Sequence, residues 1–161
     1  MFEPAIAVNQ FQLGLLAKTV GDIPESSLYE RGTGHGHPPA WLLGHLAISG
    51  ERGVRLLGGT VAHPKWLRLF GPKSDDGVSP EVGLGRDELM AAVTEAYSAL
   101  RERTASMTPE VAGKPHGIDL FDGTPVVTLG DAVAHLLTSH FGFHLAQLSA
   151  CRRAAGHAPL F

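Results

Sequence analysis

His140 and His144, in the run His140-Phe141-Gly142-Phe143-His144, are the residues of this chain whose type and spacing point most directly to chemistry. Helical residues four apart share a face, with Cβ atoms about 6 Å apart, so two imidazoles there can reach one metal ion. They continue a stripe of Leu136, His140, His144 and Leu148, flanked by Val133 and Cys151, so both rings should point where apolar side chains point. Burying two imidazoles side by side without partners is costly, and a shared metal removes that cost. The competing reading is a pair of core histidines bonded to backbone or to each other through water.

His45 extends the pattern. It shares a helical face with Trp41, Ile48 and Ser49, and packed helices bring facing side chains within imidazole reach. Three neutral imidazoles with one open position suit a catalytic zinc or another borderline divalent ion such as nickel. Taken alone, His45 reads as a structural histidine. Phe141 stands where an HExxH motif needs glutamate, which excludes a zincin mechanism.

Trp41, Ser49, Arg52 and Gln147 are candidates for a second shell or a substrate pocket. Gln147 follows His144 by three residues and stays near it. Arg52 follows His45 by seven on the same face and could meet an anionic substrate; its plainer reading is an exposed surface charge. Glu51 points about 120° away from His45 and is not taken as a ligand. His135 lies about 140° round an ideal helix from His140, so it should not share that face. His35 and His37 sit in a glycine-rich loop, at a cavity mouth or solvated. His63, His116 and His157 read as structural or solvated, and Cys151 as a small buried hydrophobe.

The elements that must position these residues are helical. Apolar Ile6, Ala7, Phe11, Leu15 and Val20 predict a first helix between Pro4 and Gly21. A loop follows from Asp22 to Pro39. A second helix starts at Pro38-Pro39 and stops near Gly58-Gly59, apolar on most faces and therefore central. The long connection from Gly58 to about Gly85 is expected to tuck Trp66, Leu67, Leu69 and Phe70 onto the core. A third helix covers Arg86 to Met107, with Leu89, Val93, Ala96 and Leu100 inward. After a Gly/Pro-rich connection from Pro109 to Pro125, Thr128-Leu129-Gly130-Asp131 resembles a capping box. It opens a fourth helix that runs to Ala155 and is closed by Gly156. The fold class is all-α, a four-helix bundle whose long link between helices two and three leaves those two parallel.

Composition sets the outer limits. At 161 residues, 43% hydrophobic and 18% charged, the chain fits one domain over residues 1–161 and excludes a disordered polyelectrolyte. A net charge of −3, without basic residues interleaved with aromatics, argues against nucleic acid as a partner. A single cysteine fits a reducing compartment. A start without basic residues and the lack of a long apolar run predict neither a signal peptide nor a membrane span, hence a cytoplasmic protein.

The stretches Trp41-Leu42-Leu43-Gly44-His45-Leu46-Ala47 and His140-Phe141-Gly142-Phe143-His144-Leu145-Ala146-Gln147 resemble the DinB-like family. So do Arg152, Gly156 and Pro159, the Ile23-Pro24 segment, the central linker and the Gly85-Arg86-Asp87-Glu88-Leu89 helix start. The resemblance implies an up-down-down-up four-helix bundle with a metal held by His45, His140 and His144. Family members often carry His-Arg-Gly-Gln at the last ligand. Here His144-Leu145-Ala146-Gln147 keeps the Gln and lacks the Arg, together with any substrate contact that Arg makes. The implied function is a small metal-dependent enzyme, thiol S-transferase-like, using a low-molecular-weight thiol that the metal activates. Hydrolysis by metal-bound hydroxide fits the same residues. The remaining alternatives are a non-catalytic metal-binding bundle and a small-ligand binder whose histidines bond the ligand directly. Homodimerisation is a further implication of the resemblance.

Overall fold

The computed structural model describes residues 1–31, 36–72, 74 and 78–160, and His35 lies outside them. Among the described residues the regular elements are helices, without a strand; a single bridge joins Pro115 and Thr128. The long helices are α1 (Glu3–Gly21), α2 (Pro39–Leu56) and α4 (Arg86–Ala105). A fourth long helical segment is α6 (Leu129–His135) and α7 (Phe141–Ala154), joined by a π-helical turn over Leu136–His140. One-turn helices α3 (Leu67–Phe70) and α5 (Pro109–Ala112) lie in the connections. No described helix is long and apolar enough to cross a membrane.

The second helix is the most enclosed element, as its apolar sequence predicts. Pro39 opens it, and nearly every residue from Pro39 to Val54 is buried. It packs chiefly on α4, and Gly50 and Gly53 permit the close approach. A Cβ on Gly50 would lie 2.9 Å from that of Ala96, and one on Gly53 2.8 Å from Leu100. Leu89, Val93, Ala96 and Leu100 are buried as expected, joined by fully enclosed Tyr97. Both sides of the Thr128–Asp131 capping box form, and Gly156 takes a positive φ of 93° just past α7.

Three expectations need correction. The inward face of α1 is Asn9, Leu16, Thr19 and Val20, whereas Phe11 is 64% exposed and Ala7 is exposed. Polar Asn9 and Thr19 disguise this face because their side chains bond backbone carbonyls instead of water: Asn9 Nδ2 donates to Leu137 O and Thr19 Oγ1 to Leu15 O. The fourth helix is also not α-helical throughout, since the π turn interrupts it. In the connection after α2, Trp66 and Phe70 are buried and Leu69 is partly so, but Leu67 is 58% exposed.

Candidate metal centre

Each of the three histidines is aimed by a different part of the fold. His45 sits one residue after Gly44, whose missing side chain lets the Phe70 ring lie directly against α2; any Cβ there would collide with that ring. The approach brings the Phe70 carbonyl within 2.7 Å of His45 Nδ1. Nδ1–H therefore donates to the carbonyl, and Nε2 keeps its lone pair. The Trp41 indole stacks on the same imidazole, ring centres 4.6 Å apart and 8° from parallel. His37 stacks on the indole's other face at 4.1 Å, and Trp41 Nε1 donates to Ser74 Oγ at 3.0 Å.

His140 closes the π turn. Widening a helix by one residue per turn disturbs its carbonyl ladder, and α1 supplies replacement donors. Asn9 Nδ2 bonds Leu137 O at 3.0 Å and Gln12 Nε2 bonds Thr138 O at 3.3 Å. Asn9 is held in turn by Arg101 Nη1 of α4 at 2.8 Å. The turn also draws together residues five apart, so the His135 ring lies 5.7 Å from that of His140, much nearer than ideal helix geometry predicts. His135 nevertheless stays outside the cluster, its Nδ1 bonded to Ser139 Oγ.

His144 lies in the first turn of α7 and is buried; its Nδ1 meets Gln147 Oε1 at 2.7 Å. Nδ1 thus holds the proton, and an ion would be met by Nε2. One ring nitrogen from each of His45, His140 and His144 falls within 4.8 Å of the others, with His45 Nε2 and His140 Nε2 3.3 Å apart. Two nitrogens each about 2.05 Å from a tetrahedral zinc lie about 3.3 Å apart, so this spacing fits two ligands of one ion. Burial pushes the His140 pKa down to about 3, assisted by its three histidine neighbours, and burial lowers that of His45. Both rings are neutral at pH 7, the form a metal requires. His140 Nδ1 is buried without a hydrogen-bond partner.

A cavity of about 870 Å³ opens beside His45 and His140. Ser49 and Arg52 line it, Ser49 buried and Arg52 exposed, while Trp41 and Gln147 touch the histidines. Glu51 is not at the cluster; it is buried in the cavity wall and accepts from His63 Nδ1 at 2.7 Å and from the His63 backbone N–H. His63, also on the wall and stacked on Trp66 at 4.2 Å, is thus more engaged than its sequence position indicates. His116 is structural, bonded to Val126 O and to the Ile118 N–H, and Cys151 is buried as expected. Sequence reasoning missed Phe70, Asn9 and Gln12. The one available signal was the pair of polar residues on the buried side of α1.

The family model of the DinB superfamily matches residues 10–148. The chain belongs to the DinB superfamily. Searches of curated proteins and of solved structures returned no match. The DinB match takes in α2, the connection carrying Phe70 and the π turn, so all three histidines, Phe70, Gln12 and Gln147 lie inside it, and Asn9 lies just before it.

Proposed function

We propose that His45, His140 and His144 hold one divalent ion, zinc or nickel, in a cytoplasmic enzyme of thiol S-transferase type acting with a low-molecular-weight thiol. The observation that carries this reading is the convergence of three imidazoles within 4.8 Å, two of them with Nδ1 protons fixed by Phe70 and Gln147. Membership of a metal-associated superfamily supports it. In this reading the long helical segments form an up-down-down-up four-helix bundle around the site.

When bound, such an ion lowers the pKa of a thiol, so that its sulfur is nucleophilic at neutral pH. The chain's own residues orient and protect. Phe70 and Gln147 set the tautomers, and Trp41 covers one face of His45. Ile48 and Leu136 present apolar walls beside the rings and keep water away. A thiol entering the cavity would meet His45 and His140 on its wall, and the electrophile would occupy the remaining volume.

A second reading has its own observation. The 3.3 Å contact between His45 and His140 is also what a direct hydrogen bond gives, with His140 Nε2–H donating to His45 Nε2. The triad would then be metal-free, as in a small-ligand binder. Elemental analysis of tag-free protein after gel filtration, wild type beside His140→Ala, separates the two. About one zinc or nickel per chain, lost in the variant, is the expected result. Protein that neither carries nor takes up either metal would overturn the enzyme reading in favour of the hydrogen-bonded triad.

A further inference from the structure

The cavity beside the triad carries a charge imbalance that metal binding does not use. Among the described residues its wall includes Glu51, Arg52 and Arg55, and no other acidic or basic side chain apart from histidines. Glu51 precedes Arg55 by four residues, the spacing at which a helix ordinarily pairs a carboxylate with a cation. Here that pairing is not made. The Glu51 carboxylate is turned to His63, accepting from Nδ1 at 2.7 Å and from the backbone N–H at 3.1 and 3.2 Å. Arg52 and Arg55 are three apart, so they leave α2 on the same side, and both are exposed at the cavity edge. Neither makes an ion pair or hydrogen bond among the described residues. In a chain of net charge −3, this wall therefore has a local excess of positive charge. The same cavity is lined by apolar Ile48, Leu56, Ile118 and Phe121.

From this geometry we infer that Arg52 and Arg55 bind the carboxylate of a small organic acid whose apolar body lies along Ile48, Leu56, Ile118 and Phe121. The volume of about 870 Å³ suits such a molecule, small-ligand pockets running to roughly 1,000 Å³. Two planar guanidiniums on one helix face offer the paired donors that a carboxylate accepts. The inference rests on the proposed metal reading only for what is then done to the acid; its binding depends on the arginines alone.

The test compares phenylbutyrate with its uncharged amide, phenylbutanamide, by calorimetric titration into metal-free and zinc-loaded protein. Wild type and an Arg52→Gln/Arg55→Gln double variant are used, the latter changing only exposed side chains, with folding checked by its melting curve. Metal-free wild type is expected to bind the acid more tightly than the amide. The double variant should lose about tenfold in affinity for the acid and nothing for the amide, and added salt should weaken the acid alone. Equal binding of acid and amide, absence of binding by either, or an acid preference that survives the double substitution would each overturn the inference. A preference present only with zinc and unchanged in the double variant assigns the carboxylate to the metal, which sinks the arginine site and leaves the metal reading intact. An arginine-dependent preference in protein that never takes up zinc does the opposite.

Discussion

At the scale of single residues, the candidate site depends on which nitrogen of each imidazole carries the proton. His144 commits its Nδ1 proton to Gln147 Oε1, and His45 commits its own to the Phe70 carbonyl. Both rings then present a lone pair on Nε2 before any ion arrives, so binding is not charged the cost of selecting a tautomer. Replacing Gln147 with Ala frees His144 to rotate and to change tautomer. Metal affinity, measured by competition with a chromophoric chelator, should fall by about 10–100-fold while the melting temperature of metal-free protein changes little. Unchanged affinity would mean that Gln147 only packs against the ring. Gln147 was legible in the sequence because helical spacing places it beside His144. Phe70 was not, because its contribution is a backbone carbonyl and no side-chain type announces that.

At the scale of elements, the π turn is the feature that aims His140, and α1 is what holds the turn in shape. Asn9 is fully buried and bonded on both sides, to Leu137 O and to Arg101. An Asn9→Ala change leaves a carbonyl of the turn and the Arg101 guanidinium without that partner. It should cost about 1–3 kcal/mol in chemical denaturation, and it should also weaken metal binding because His140 ends the same turn. A stability loss without an affinity loss would show that the turn keeps its shape unaided. The helices and most of their limits were legible, since Pro39, the Thr128–Asp131 box and Gly156 are local signals that the structure obeys. Two things were not. The π turn depends on donors more than a hundred residues away in sequence, which no periodicity within the helix encodes. The inner face of α1 was misread because a buried Asn looks like a surface residue until its partners are known.

At the scale of the whole molecule, the cavity is assembled from α2, the segment from His63 to Pro72, the segment from Gly117 to Phe121 and the π turn. The same assembly that makes the cavity removes His140 and His45 from water, and this sets how stability responds to acid. The ordinary histidine pKa is 6.5, and burial holds that of His140 near 3 and lowers that of His45. Between those limits the unfolded chain binds protons that the folded chain refuses. Stability is therefore full above about pH 6.5 and falls as the pH drops towards the folded value, by at most about 1.4 kcal/mol per unit from His140. Urea midpoints of metal-free protein between pH 7 and 5, a window above most carboxylate titration, should decline in wild type and decline less in His140→Ala. Equal slopes in the two proteins would show that His140 is not held neutral by the fold. Zinc should raise the wild-type midpoints at pH 7, because an ion that binds only the folded chain adds its binding free energy to stability. That gain should shrink towards pH 5, where free protons compete with the ion for the same nitrogens, and it should be absent from His140→Ala throughout.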